Sequence, residues 1–440
     1  MAASVFSSAL YGQLFPTGEI GRLWSDSADV RAMLLVEGAL AKVQGAQGVI
    51  PELSAAFIHR SSLEVQIDPA GLAQATGQNG VSVPALVTEF RKAMEAPEHA
   101  QYAHWGATSQ DIIDTSLMLR LRQTLNTQNA HLIEMLKTMG AQAKKHAETP
   151  MVGRTYGQHA TPTSWGAVLA QWGQPLADAV DELADLKARS LWVSLSGAAG
   201  TSSALGPHAD ETRAALAEAL SLHDPGRSWH TDRGPVLRIA DWMGRIVADL
   251  SGMGQSAVAL AVTECQEMTL SGAGSSSTMP QKQNPVGPST LVALGHHMTG
   301  LRASLQAAAA HQHQRDGAAW FTEWMVMPQI ALCWAASINV AHALVGGWSP
   351  NTDAMISKFD GLGGVHAEAL SFALAAEMPR PEAQAKTKAL IADADARNMS
   401  LADVARAARP DLPSDLFDPH AGLGTAPAQA RAFAERVNAL

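Results

Sequence analysis

One lysine, one asparagine and a run of hydroxyls share the stretch Gly272–Pro288, which reads GAGSSSTMPQKQNPVGP. Ser276, Ser277, Thr278, Lys282 and Asn284 supply oxygens, a cation and an amide within a short span that holds no carboxylate. That inventory suits an anionic ligand. A serine hydroxyl is a poor base unless its alkoxide is stabilised, and Lys282 and the backbone N–H groups of such a loop can do that. Met279 and Pro280 precede Lys282 and Pro285 follows Asn284, so two prolines restrict the backbone around the polar groups. A surface linker carrying an ordinary solvated lysine has the same composition.

Three further stretches carry polar side chains in chemically useful order. His104-Trp105-Gly106-Ala107-Thr108-Ser109-Gln110-Asp111 sets Thr108 three residues before Asp111, the spacing of a capping box with Asp in place of Glu. Free N–H groups at Thr108 and Ser109 would make that helix start an anion site; a plain helix cap with His104 in an exposed loop reads equally well. Gly153 to Pro162, GRTYGQHATP, puts Thr161 and Pro162 at a predicted N-cap and N1. His159 would then stand at the positive end of a helix dipole, which favours neutral imidazole and proton transfer. Arg154 in the same stretch suits a substrate carboxylate or a nearby acidic residue. The fourth stretch, His311 to Trp324, offers Arg315 for a carboxylate and Trp320 or Trp324 for a planar or apolar ligand surface, or else for the core. His311 and His313 alternate and do not share a helix face, so no metal site is expected.

These groups need rigid elements to hold them, and the chain supplies helices. Ala, Leu, Met, Gln and Glu dominate, and alternating β-branched runs are rare. Helical spacing is predicted over residues 31–44 with Asp29 as N-cap, over 109–146, 162–190, 235–270, 289–311 and 321–344. The last five form a central bundle of long helices. The cluster Gly346–Asn351 marks a boundary, after which Pro379, Pro381, Pro410 and Pro413 break the chain into shorter helices. The expected organisation is all-α in three domains: 1–108 an N-terminal helical domain, 109–348 the central five-helix bundle with the signature loop, 349–440 a C-terminal helical cap.

Composition narrows the function. The net charge of −10 argues against nucleic-acid binding, and an acidic substrate would need a local positive pocket. Only 16% of the 440 residues are charged against 47% hydrophobic, which points to surface hidden in an oligomer. Two cysteines, Cys265 and Cys333, in apolar helical context fit a reducing cytoplasm without a disulfide framework. The N-terminus has no basic leader, and residues 330–348, interrupted by Asn339 and His342, read as a buried bundle helix and not a membrane span.

Together the four stretches resemble the fumarase/aspartase superfamily. Its hallmark loop G-S-S-x-M-P-x-K-x-N is matched by Ser276-Ser277-Thr278-Met279-Pro280-Gln281-Lys282-Gln283-Asn284, and HWGATSQDIIDT and GRTYGQHATP look like its other two signature regions, in the same order. Within it the pattern is most similar to the branch that lactonises 3-carboxy-cis,cis-muconate, including Gln312-His313-Gln314-Arg315 followed by Trp320-Phe321-Thr322-Glu323-Trp324. Tyr156 stands where Trp is usual, Gln281 and Gln283 where His and Arg often flank the lysine, and Ser275 where Gly precedes the serines.

The resemblance implies an all-α homotetramer around a multi-helix core, with each active site built from three subunits and no cofactor or metal. It implies a small polycarboxylate substrate and neither a nucleic-acid nor a membrane partner. It assigns catalysis to His159, Ser276 and Lys282. His159 is the first choice as proton donor, and Ser276, at the family's base position, is the second. His104, Thr108, Ser109, Arg154, Gln158, Ser277, Thr278, Met279, Asn284, Arg315 and Trp320 are expected to bind substrate. An elimination releasing fumarate, as in adenylosuccinate or argininosuccinate lyases, is the rival reaction; only His159 remains of the two histidines usual in the former's second region. A catalytically silent protein on the same fold is the rival of another class.

Overall fold

A computed structural model of the chain describes residues 4–272, 274–275, 278–279, 281–359 and 363–440. The chain is mostly α-helical, and the five longest helices among the described residues are Ser109–Lys145, Trp165–Ser190, Gly234–Ala261, Val286–Ala308 and Gly317–Gly347. They run from 23 to 37 residues, well beyond the three-turn average, and such helices depend on packing along their apolar faces. Strand pairing among the described residues is limited to three two-stranded antiparallel pairs.

Several boundaries differ from the sequence-based expectation. The helix predicted from residue 162 starts at Trp165, because Gln158–Ser164 (β2) pairs with Pro150–Thr155 (β1). Ser164, not Thr161, caps this helix by accepting from the Ala167 N–H at 3.1 Å. Thr161 and Pro162 mimic a helix start in sequence, but β2 is the last strand of its hairpin, and an edge strand tolerates proline. The helix expected over 235–270 ends at Ala261; Met268–Leu270 (β3) pairs instead with Trp348–Pro350 (β6). The helix that contains residues 31–44 begins at Asp26, where Ser25 accepts from the Ala28 N–H at 3.3 Å. Asp29, expected as the cap, lies inside the first turn and pairs with Arg120 at 2.8 Å.

The chain forms two compact units. The first comprises Met1–His131, Ala179–Ala248 and Ala293–Val340. Its main core joins Met33, Leu34, Val36, Ile58, Leu86 and Phe90 with Ile112. Trp242 and Trp334 stack edge-on at 5.4 Å, and the Trp242 indole N–H donates to the Ala179 carbonyl at 3.0 Å. A buried indole with a satisfied N–H anchors helices by area and direction together.

The second unit comprises Leu132–Asp178, Asp249–Val292 and Ala341–Leu440. Trp165, Trp172 and Trp348 form an aromatic trio with centroids 5.6 to 6.3 Å apart. Gln142 accepts from the Trp348 indole at 2.5 Å and donates to the Val345 carbonyl at 2.9 Å. The C-terminal helix Ala426–Asn438 docks through Phe433, which is fully buried. Gly173 makes room for that ring: a Cβ there would lie 2.2 Å from it. A smaller cluster in the same unit joins Leu370, Leu374, Leu390, Leu401 and Val404.

Gly317–Gly347 is the one helix among the described residues long and apolar enough to cross a membrane. Of its most apolar window, 61% is buried inside the protein, as in a core helix. Both cysteines are free thiols. Burial pushes the Cys333 thiol up to about 12, against a hydrogen bond with Ser337 that favours the thiolate, so Cys333 is held protonated and inert.

Candidate active-site elements

In the first unit the start of the Ser109–Lys145 helix is organised by one carboxylate. Asp111 Oδ2 accepts from the Thr108 N–H at 3.0 Å, which is the acidic half of the capping box. The hydroxyl half is absent: Thr108 Oγ1 accepts from Arg315 at 3.4 Å. The Thr108 N–H expected to face an anion is therefore committed to Asp111. Arg315 also donates to Gln110 Oε1 at 2.7 Å and to the Ala198 carbonyl at 3.3 Å. Its turn is held in shape by Asp316, which accepts from the Gln312, Ala318 and Ala319 N–H groups at 3.0 to 3.2 Å. A guanidinium half-buried at a helix N-terminus, oriented by three contacts, is preorganised for an anionic group.

Beneath it lies a fully buried polar layer. Asp111 further accepts from Ser194 Oγ, the Ser196 and Gly197 N–H groups and His230 Nε2, all at 2.8 to 3.1 Å, and so ties residues 194–197 to the helix start. One turn on, Asp114 receives Arg233 through two bonds of 2.8 and 3.0 Å, and Glu323 receives the same guanidinium at 2.8 and 2.5 Å. Burial opposes the Arg233 charge most strongly, but Asp114 and Glu323 outweigh it and raise its pKa. Burial, with the Asp114 charge, lifts the Glu323 carboxyl above its ordinary value against the pull of Arg233. Nearby, both ring nitrogens of His311 are buried without a hydrogen-bond partner among the described residues. Burial and the Arg233 charge lower its pKa and keep the imidazole neutral.

His104 stands at the edge of this layer with a left-handed backbone, φ +62°. Its Nδ1 lies 2.7 Å from Glu37 Oε1, and Glu37 is buried. Burial is the largest influence and pulls the imidazole pKa down, but the charge and hydrogen bond of Glu37 and the charge of Asp111 raise it above the ordinary value. The sign follows from linkage: the pair stabilises the fold in full below the ordinary imidazole pKa of about 6.5 and loses that contribution as pH rises through the folded-state value. Glu37→Gln is expected to drop the His104 titration midpoint below that of the parent, read by NMR with labelled histidine. An unmoved midpoint would show that Glu37 does not set the charge of His104. Trp320, expected against substrate, is 1% exposed and stacks on Trp324 at 4.6 Å, so it is a core residue of this unit.

The second unit holds the other two sequence stretches on hairpins. β1 and β2 turn through Tyr156 and Gly157, with φ +52° and +74°, a two-residue turn of the type that matches strand twist. Across the ladder Arg154 opposes His159 and Thr155 opposes Gln158. Gln158 and His159 are exposed, and Tyr156 at the tip is wholly so. The expectation of His159 at a helix dipole is thus corrected: it sits on a strand, so the dipole is no argument for its neutral form. Arg154 pairs with the buried Glu267 at 2.7 Å and donates to Cys265 Sγ at 3.5 Å. Within this chain Arg154 is bound to a carboxylate of its own.

The glycine- and serine-rich stretch, expected as a polar loop, carries a short strand pair among its described residues. Gly274–Ser275 (β4) pairs with Gln283–Asn284 (β5), and the Lys282 N–H donates to the Met279 carbonyl at 3.0 Å. Lys282, Thr278 and Met279 are exposed and Asn284 is half-buried. Ser276, Ser277 and Pro280 lie outside the described residues. Among the described residues no cluster of three or more His, Cys, Asp or Glu could hold a metal ion.

The structure therefore gathers His104, Thr108, Ser109 and Arg315 in the first unit, and sets Arg154, Gln158 and His159 on one hairpin and Lys282 and Asn284 on another in the second. Sequence reading missed Asp114, His230, Arg233, Glu323, Glu37 and Glu267. A signal existed for Asp114: it lies one turn from Asp111 on a helix flanked by Ile112, Ile113 and Leu117, and a buried carboxylate requires nearby donors, though nothing in the sequence says which.

A family model described as a lyase matches residues 16–300. The chain belongs to the fumarase/aspartase superfamily and is an enzyme of that class. Among its relatives, the 3-carboxy-cis,cis-muconate cycloisomerase of Pseudomonas putida is 35% identical over 383 residues, which cover 86% of this chain and 91% of that one. The crystal structure of the 3-carboxy-cis,cis-muconate lactonizing enzyme from Pseudomonas putida superimposes with a TM-score of 0.91 at 32% identity, covering 98% of this chain and 99% of that chain. A nitrosuccinate lyase of Streptomyces davaonensis is 31% identical over 448 residues, 97% of this chain and 94% of that one.

Proposed function

We propose that the protein catalyses the cycloisomerisation of 3-carboxy-cis,cis-muconate to 4-carboxymuconolactone, a step in the catabolism of protocatechuate, in the cytoplasm. The observation that carries this reading is Arg315, held by two contacts to the Thr108–Gln110 helix start and a third to the Ala198 carbonyl, in a chain 35% identical to an enzyme named for that reaction.

The reaction is an intramolecular addition. A carboxylate oxygen attacks an alkene carbon, a C–O bond forms as the π bond breaks, and the electron pair moves onto a second carboxylate as an aci-anion. That anion collapses when one proton is delivered to carbon, so substrate and product are isomers. The site must curl the diene, hold three carboxylates and stabilise the extra charge. In this reading Lys282, Asn284 and the hairpin backbone serve the aci-carboxylate, with Ser277, Thr278 and Met279 beside it. Arg315 anchors another carboxylate, with Arg154 as the alternative, and Ser109 with the Thr108 hydroxyl meets a third. Gln158 and His104 complete the binding set, and His159, or second Ser276, delivers the proton.

The site is proposed to be completed in a homotetramer, each active site drawing its three signature stretches from three subunits. The chain is divided by the same reading into 1–108, 109–348 and a C-terminal cap at 349–440. The exposure of Gln158, His159 and Lys282 on hairpins supports a partner-completed site.

Purified protein mixed with 3-carboxymuconate should remove the diene absorbance. Turnover of adenylosuccinate or nitrosuccinate alone would overturn the reading in favour of β-elimination, which the nitrosuccinate lyase relative keeps in contention. A stable species at the 46.3 kDa of one chain would overturn the shared site.

A further inference from the structure

The first unit contains a cavity of about 600 Å³ that none of His104, Thr108, Ser109 or Arg315 lines. Met33, Leu72, Leu117 and Met327 supply much of its wall, and Trp24 and Trp324 add aromatic faces. Its volume falls within the range of small-molecule pockets. Its charged lining is Asp26, Asp29, Glu323 and Arg120, and Arg120 is already paired with Asp29 at 2.8 Å and covered by the Trp24 ring at 5.0 Å. Three acids against one committed cation disfavour the polycarboxylates that Arg315 and Lys282 suit.

Two donors on the wall are uncommitted, while the acceptor Asp29 Oδ1, which makes no hydrogen bond of its own, is held by the Arg120 charge at 2.8 Å. The Trp324 indole N–H and the Arg120 Nε–H are buried without a hydrogen-bond partner among the described residues. Unmet buried donors carry a desolvation cost that an acceptor oxygen would relieve. Donors and apolar walls together suit neither a carboxylate nor an ammonium.

The cavity wall is also tied to the candidate active site. Glu323, a lining residue, holds Arg233 at 2.5 Å; Arg233 holds Asp114 at 2.8 Å; Asp114 accepts from Gln110 at 3.1 Å; and Gln110 accepts from Arg315 at 2.7 Å. A displaced Glu323 must be answered along that chain, because each member is buried except its last.

We propose that this cavity is a second binding site, for an uncharged, ring-sized apolar molecule carrying one hydroxyl or carbonyl oxygen, and that its occupancy alters anion binding at Arg315. The binding half stands without the proposed reaction; the coupling half rests on the carboxylate role given to Arg315.

Saturation-transfer NMR on the full-length protein with benzyl alcohol, benzoate and benzylamine tests the first half. Benzyl alcohol should bind saturably and at least several-fold more tightly than either charged analogue. Ala73→Trp fills the mouth from an exposed helical position and should abolish that signal, and Thr76→Phe does the same from another position on the wall. Absence of saturable binding, preference for benzoate or benzylamine, or undiminished binding in a folded Ala73→Trp variant would overturn the site.

For the second half, citrate is titrated calorimetrically with and without saturating benzyl alcohol. At least a twofold change in citrate affinity, lost in Ala73→Trp, is expected. Unchanged affinity overturns the coupling. Absence of citrate binding in both conditions overturns the carboxylate role of Arg315 and with it the coupling, while the benzyl alcohol result stands.

Discussion

Arg233→Met should destabilise the protein by about 3–5 kcal/mol, because it strips the counter-charge from two buried carboxylates at once. Asp114 and Glu323 are both fully buried, and the guanidinium donates four hydrogen bonds to them. Methionine matches much of the side-chain volume, so the loss reports charge and hydrogen bonding, with little contribution from a cavity. The deficit relative to the parent should also depend on pH. Without Arg233 the buried Glu323 carboxyl, already above its ordinary value, is pushed further above the pKa it has in the unfolded chain. A carboxyl raised in this way is comfortable when protonated, so the penalty is absent below the unfolded value and grows as pH rises through the folded one. Urea melts of parent and variant at pH 5 and pH 8 should show a smaller gap at the lower pH. A gap under about 1 kcal/mol at both would mean that the ion layer contributes little net stability, as replacement of buried pairs sometimes reveals.

The second large effect concerns chemistry. His159→Ala is expected to lower kcat by about 10²–10⁴, the usual contribution of a positioned proton donor, while KM for 3-carboxymuconate stays within a few-fold of the parent. Ser276→Ala is the necessary companion. If His159→Ala turns over near the parental rate and Ser276→Ala collapses, the proton belongs to the serine. His159 is exposed on β2 and forms no part of the protein core, so its removal should leave the melting curve unchanged, and a loss of rate can be read as loss of function.

The long helices were readable because their apolar spacing persists over many turns and their ends are punctuated: the Ser109–Lys145 helix was expected to within a residue at each end. Expectation failed where a local pattern served two structures. Thr161-Pro162 is a good helix start and also a tolerable end of a two-stranded hairpin. The turn at Tyr156-Gly157 decides for the hairpin, and a tyrosine at positive φ gives no warning of it. Arg315 was identified as an anion ligand by residue type, but its orientation depends on Gln110, a residue more than two hundred positions away. The partners of Asp114 in the Asp114–Arg233–Glu323 layer were illegible for a related reason. Arg233 and Glu323 look like ordinary surface charges until the residue just before the Gly234–Ala261 helix is brought between two other helices. Trp320 shows the converse: an aromatic beside candidate ligands proved to be packing.

Tyr156 has a practical consequence outside catalysis. The chain has three tyrosines, and Tyr11 and Tyr102 are only partly exposed whereas Tyr156 projects entirely from its turn. An electrophilic reagent such as tetranitromethane should nitrate Tyr156 first in an isolated chain. Where a neighbouring subunit covers the hairpin, the same residue becomes protected, and nitration at one residue turns into a chemical clock for assembly that needs neither substrate nor turnover.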